Sequence, residues 1–145
     1  MGNLDFKFTS INNIGQGFLE DKYTPVEVVH YFLNRIEKYD SELKSYATVM
    51  RVSALEAAEI ATNEISNGKY RGPLHGIPIA VKDLCYTNGI KTMGGTAVLQ
   101  DFIPDYDSTV VSNLKQAGAI ILGKLNLTEG AVSYTHLTLP TNREV

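Results

Sequence analysis

Residues 72–83 read GPLHGIPIAVKD, in which a loop rich in glycine and proline leads into a short apolar run. The short apolar run over 77–81 predicts a buried strand. The run ends on Lys82, which places an ammonium at the edge of an apolar interior. The charged form of a lysine is disfavoured there, so the neutral amine can act as a base. The alternative is a lysine that extends to solvent from a strand end and has no chemical role.

Helical and strand-like patterns alternate on both sides of this stretch. Thr24 and Pro25 suit the cap and first position of a helix that runs to about Tyr39. The other predicted elements are a strand over 45–50, a helix over 53–65, a helix over 107–117 and a strand over 119–124. This order predicts an α/β fold with a mostly parallel sheet flanked by helices. Only three strands are evident, so we expect the sheet to be incomplete.

Composition excludes several classes of function. The 145 residues are 43% hydrophobic and 20% charged with a net charge of -3, which is typical of a soluble protein and predicts no nucleic-acid partner. No apolar stretch approaches the roughly 20 residues of a membrane helix, so we expect no membrane partner. A single cysteine excludes an internal disulfide, and we expect a cytoplasmic location. Three scattered histidines and one cysteine predict no metal site.

Three segments resemble, in order and spacing, the amidase signature family, whose hydrolases use a Ser–cis-Ser–Lys triad. They are RGPLHGIPIAVKD at 71–83, DYDSTVVSNLKQAGA at 105–119 and ILGKLNLTE at 121–129. The resemblance extends over roughly residues 24–131. It implies the N-terminal portion of the amidase signature fold, with most of the domain and the remaining strands outside this chain.

The resemblance also implies a reaction. Lys82 is then the base that acts through a cis-peptide serine on a serine nucleophile, and a small-molecule amide is cleaved through an acyl-serine. No cofactor is implied. The family's serines lie in a segment of the type Gly-Gly-Ser-Ser-Gly-Gly-Ser, which is absent from this sequence. We therefore expect this chain to be inactive alone, and to fold poorly because its sheet edges are exposed.

The resemblance places Met93, Gly94, Gly95 and Thr96 at a wall of the substrate cleft. A backbone contact with the substrate is one interpretation of this loop. An ordinary glycine turn is the other.

Three further residues are of types that can act in catalysis, but their sequence contexts favour structural roles. His75 lies in a loop between glycines and prolines, which favours a structural histidine. Cys85 follows Lys82 closely but has no histidine near it in sequence, so we expect a small apolar residue. Asn126 is predicted to cap a short helix, with support of the site as the second possibility.

The chain divides into three predicted parts. Residues 1–23 form an N-terminal arm with a short helix near 11–19, which Gly15 and Gly17 are expected to interrupt. Residues 24–132 form the N-terminal part of an amidase domain, truncated at its end. Residues 133–145 resemble a translated sequencing adapter, so we expect a non-native tail and a natural gene that continues past residue 132.

A different class of function is also open. The chain could be a small, non-catalytic α/β ligand-binding module, with Lys82 and the glycine loop at a strand-exit crevice.

Overall fold

A computed structural model describes residues 5–129. The stretches that the sequence marks as helical or extended lie where expected, with bounds shifted by a few residues. The helices are α1 (Ile11–Leu19), α2 (Pro25–Leu43), α3 (Arg51–Ser66) and α4 (Thr109–Gln116), and the strands are β1 (Tyr46–Val49), β2 (Pro78–Lys82) and β3 (Ile120–Leu125). A short 3-10 helix, Ala97–Leu99, lies between β2 and α4.

Helix α2 begins as predicted and ends later. The Thr24 hydroxyl accepts a hydrogen bond from the Glu27 N–H, and the Glu27 carboxylate accepts one from the Thr24 N–H, with Pro25 between them. This capping box satisfies two N–H groups that the first turn leaves free. The helix continues past Tyr39 to Leu43, where the left-handed Lys44 ends it.

The three strands form a mixed sheet in the order β1-β3-β2. Strands β2 and β3 are parallel, with Val81 opposite Lys124 and Lys82 opposite Leu125. Strand β1 pairs with β3 in the antiparallel direction. The α/β class is confirmed, but the described sheet has one parallel and one antiparallel pair rather than a parallel majority. Strand direction follows from long-range pairing, which local alternation of elements does not specify.

Helices cover both faces of the sheet. One core cluster joins α2 and α3 to β3 and consists of Val29, Leu33, Ala54, Ala58, Ala61, Ile120 and Leu122. On the opposite face Val111 of α4 packs against Val81 and Ile121. Side chains alternate across a strand, so Ile120 and Ile121 enter different cores. This packing fixes β2 and β3 between two layers and defines the position of their exits.

The N-terminal arm packs against this framework. Phe6, Ile14 and Phe18 are buried with Val28 of α2 and Ile77 next to β2. The domain boundary at residue 23 stays a prediction.

Helix α1 is continuous, so the predicted interruption at Gly15 and Gly17 is wrong. A Cβ at Gly17 would overlap the Tyr23 ring, and one at Gly15 would lie 2.8 Å from the Tyr70 hydroxyl. The two glycines therefore allow close aromatic packing, which offsets their cost of about 1 kcal/mol each in a helix.

None of the helices in the described range 5–129 is long and apolar enough to cross a membrane.

Candidate active site

Lys82 lies at the exit of β2, as the sequence predicts, and its side chain is exposed. Its Nζ donates a hydrogen bond to the Asn126 carbonyl at 3.0 Å. Asn126 in turn donates from Nδ2 to the Lys44 carbonyl at 2.6 Å, which ties the residue after β3 to the end of α2. The exposure of Lys82 differs from the dry surrounding expected at a strand end, because the strand exit faces outward in the described part of the chain.

Asp83 and Lys124 form a buried ion pair beside this lysine. Asp83 is 2% exposed and Lys124 is 0% exposed. The Lys124 Nζ lies 3.4 Å from Asp83 Oδ1 and donates to Thr92 Oγ1 at 2.7 Å. Burial lowers the pKa of Lys124, while the neighbouring Asp83 carboxylate opposes that shift. Lys82 and Asp83 thus have different partners, as expected for successive residues of an extended chain.

The glycine loop is held at the same edge of the sheet. The Met93 N–H donates to Asp83 Oδ2 at 2.9 Å, and the Gly94 N–H donates to the Asp83 carbonyl at 3.1 Å. Gly95 has φ +75°, and a Cβ there would lie 2.8 Å from the Leu127 carbonyl oxygen. The loop therefore packs on the turn that follows β3. Lys82 also contacts that turn, through the Asn126 carbonyl. Lys82 and the glycine loop, the residues predicted for the site, therefore lie next to the same turn.

Thr96 ends the loop as the cap of the 3-10 helix, where its Oγ1 accepts a hydrogen bond from Val98 N–H at 3.3 Å. A cavity of about 410 Å³ opens beside this turn. Its lining is mostly apolar and consists of Leu84, Tyr86, Thr92, Gly94, Thr96, Leu99, Leu127 and Glu129. Such a pocket suits the apolar part of a small ligand.

His75 is a structural residue in this fold, as predicted. It is 1% exposed, and its Nδ1 accepts a hydrogen bond from the Arg71 N–H at 3.2 Å. Its Nε2 lies 3.0 Å from Glu64 Oε2. Burial lowers the pKa of His75, and the Arg71 charge acts in the same direction. The ring also lies directly against Gly118, whose φ of +84° ends the turn after α4.

The expectations for two neighbouring residues have different outcomes. Cys85 is half-buried and packs beside the cluster of Val81, Val111 and Ile121, as expected of a small apolar residue. Asn126 does not cap a helix: its side chain bonds back to Lys44, and its carbonyl accepts from Lys82. The capping prediction is wrong because residues 126–128 are not helical.

The buried pair of Asp83 and Lys124 is the part of the site that sequence reasoning missed. A signal was present, since Lys124 interrupts the apolar run IILGKL. A cation inside a buried strand requires a buried partner. The partner's identity depends on strand pairing, because Asp83 reaches Lys124 only through the parallel register of β2 with β3.

Comparisons with known proteins give one consistent result. The family model named Amidase matches residues 27–142, past the boundary at 132 expected from the sequence. A Mycobacterium bovis protein that carries the inferred name amidase AmiD is 53% identical over 118 residues. These residues cover 81% of this chain and 25% of that protein. A glutamyl-tRNA(Gln) amidotransferase subunit of Alkaliphilus metalliredigens is 40% identical over 123 residues, which cover 85% of this chain and 25% of that relative.

Among solved structures, native peptide amidase from Stenotrophomonas maltophilia superposes with a TM-score of 0.81 at 31% identity. The match covers 86% of this chain and 26% of that one. The chain thus spans about a quarter of the length of the proteins it matches.

Proposed function

The chain belongs to the amidase family, and we propose that it supplies the lysine base of an enzyme that hydrolyses carboxylic amides. The observation that carries this proposal is the place of Lys82. It lies at the exit of a strand fixed between two helical layers, next to a glycine loop and the turn after β3. A side chain exposed at a strand exit can be reached by a nucleophile from another part of a longer protein.

In the proposed reaction the neutral amine of Lys82 takes the proton of a nucleophilic serine through a bridging serine. The serine oxygen forms a bond to the amide carbonyl carbon, the C–N bond breaks, and Lys82 returns the proton to the departing amine. Water then attacks the acyl-serine with Lys82 again accepting the proton, and the carboxylic acid is released. The two serines have no counterpart among these 145 residues, which lack the Gly/Ser-rich segment.

The exposure of Lys82 matters for this mechanism, because a lysine base needs a surrounding that disfavours its ammonium. We propose that the remaining three quarters of an enzyme of the relatives' length cover this strand exit and exclude water from it. The full reading frame at this locus is therefore the protein to assay.

The decisive experiment compares that full-length product with its Lys82→Ala variant on simple carboxylic amides. We expect kcat to fall by about 10²–10⁴-fold, the usual contribution of a positioned general base. Lys69→Ala is the matched control, because Lys69 is an exposed lysine in the loop that precedes β2. It should retain full turnover.

Equal turnover by the parent and Lys82→Ala proteins would refute the role of Lys82. The 145-residue chain alone should show no turnover, since it carries a base without the serines. A natural stop codon after Val145 in genomic DNA would contradict the truncation and the proposed longer enzyme.

A non-catalytic ligand-binding module is the second candidate, and one observation favours it. Lys82 is exposed and donates a hydrogen bond to a backbone carbonyl. An exposed ammonium of this kind can also bind an anionic ligand. A full reading frame that ends near residue 132 and shows no amide turnover would select this candidate.

A further inference from the structure

Asp83 lies at the centre of the contacts that hold the glycine loop. Its carboxylate accepts the Met93 N–H and its backbone carbonyl accepts the Gly94 N–H. Its own N–H donates to the Leu125 carbonyl at 2.9 Å. One residue therefore joins two consecutive loop residues to strand β3.

Lys124 makes this arrangement possible. A carboxylate with 2% exposure is costly unless a charge compensates it. The Lys124 ammonium lies 3.4 Å from Oδ1, an oxygen that accepts no hydrogen bond within the described residues. The same ammonium donates to the Thr92 hydroxyl, so the ion pair also holds the residue that precedes Met93. The charged side chains thus hold Thr92 and Met93, and the Asp83 backbone holds Gly94.

Asp83 is also the residue that follows Lys82. Lys82, the proposed base, and Asp83, which binds the loop, are therefore joined by one peptide bond at the end of β2, and their side chains point in different directions. Any movement of Asp83 changes the distance between Lys82 and the loop backbone. Reacting groups tolerate little displacement, since an error of about 1 Å can cost about 100-fold in rate.

We propose that Asp83, compensated by Lys124, is a positioning residue that sets the Met93–Gly94 backbone relative to Lys82 and to the amide substrate. This inference rests on the proposed function, because it assigns the loop a place at the same reaction. It adds a defined role for a buried ion pair that the base mechanism does not use.

Two double variants of the full-length product separate positioning from stability. Asp83→Asn/Lys124→Met removes both charges and keeps an oxygen that can accept the Met93 N–H. Asp83→Leu/Lys124→Met removes both charges and that acceptor, with a side chain of similar size. Neither leaves an uncompensated buried charge, so we expect both to fold. The Leu/Met protein leaves the Met93 N–H without its acceptor and should have the lower unfolding midpoint in urea, so kcat is compared where both proteins are fully folded.

The measurements are kcat and KM on a simple amide, and hydrogen exchange at the Met93 amide. We expect the Asn/Met protein to rescue kcat by about 100-fold relative to the Leu/Met protein. The Met93 amide should be protected in the first and exchange freely in the second. Equal kcat and equal Met93 exchange in the two folded proteins would overturn the inference.

The two proposals can fail separately. If Lys82→Ala keeps full turnover, the proposed base is lost, and Met93 exchange alone then decides whether Asp83 holds the loop. If Lys82→Ala is inactive while the two double variants have equal kcat, the base stands and the positioning role is rejected.

Discussion

Lys82 and Lys124 lie one register position apart on neighbouring parallel strands, yet their surroundings are opposite. Lys82 is exposed and donates to a carbonyl, whereas Lys124 is fully buried against Asp83 and Thr92. The sequence directs attention to Lys82, because it ends an apolar strand. The structure instead buries the ammonium of Lys124, so Lys82 is accessible to solvent and Lys124 is enclosed by the fold.

The largest expected effect tests this division. Lys124→Met leaves Asp83 buried without its partner, which should lower the free energy of unfolding by about 3–5 kcal/mol. Lys82→Met removes an exposed ammonium, and we expect a change within about 0.5 kcal/mol. Urea unfolding of the full-length product checks both.

The Asp83→Asn/Lys124→Met protein is the control for that comparison, since removing both charges should recover most of the loss. If Lys124→Met and Lys82→Met have the same unfolding midpoint, the assignment of a structural charge to Lys124 is wrong.

The parts of the fold that the sequence predicts are those with local causes. Thr24 and Pro25 mark the start of α2 because the cap and the first helical turn involve neighbouring residues. Lys82 at a strand exit is likewise readable from the five residues before it. Local patterns account for all four α-helices and all three strands described here.

What the sequence did not predict depends on long-range contacts. The antiparallel direction of β1 is decided by its pairing with β3. The Asp83–Lys124 pair needs the parallel register of β2 with β3, which brings together distant parts of the chain. The close packing at Gly15 of α1 involves the Tyr70 hydroxyl, which comes from a distant part of the chain. Each of these partners is set by packing that no window of sequence contains.

A smaller effect should separate the loop beside the two lysines from an ordinary turn. Gly95→Ala places a Cβ 2.8 Å from the Leu127 carbonyl oxygen at a φ of +75°. Gly89→Ala has nearly the same φ, +71°, but meets no atom within 4 Å. Both changes carry the left-handed penalty of about 1–2 kcal/mol, and Gly95→Ala should cost about 1–3 kcal/mol more because of the overlap.

Thermal unfolding of the two alanine variants measures this difference. Equal losses in the two would mean that the loop does not pack on the turn after β3. The hydrogen bonds of Met93 and Gly94 to Asp83 would then be the contacts that hold the loop near Lys82.

The smallest expected effect concerns His75, a second buried group whose pKa is lowered by burial. Because the folded state holds the ring neutral, the unfolded chain binds the proton first as pH falls below the ordinary value of 6.5. Stability is therefore complete above that value and declines as pH falls toward the lowered pKa. The slope of the free energy of unfolding against pH cannot exceed about 1.4 kcal/mol per pH unit for one proton.

Urea titrations between pH 8 and 5 should show this decline in the parent protein and a flatter profile in His75→Gln. Lys124 should likewise make stability increase with pH, at alkaline pH, because its pKa is also lowered. An identical slope in parent and His75→Gln proteins would show that the Glu64 carboxylate, 3.0 Å from Nε2, cancels the effect of burial on the pKa of His75.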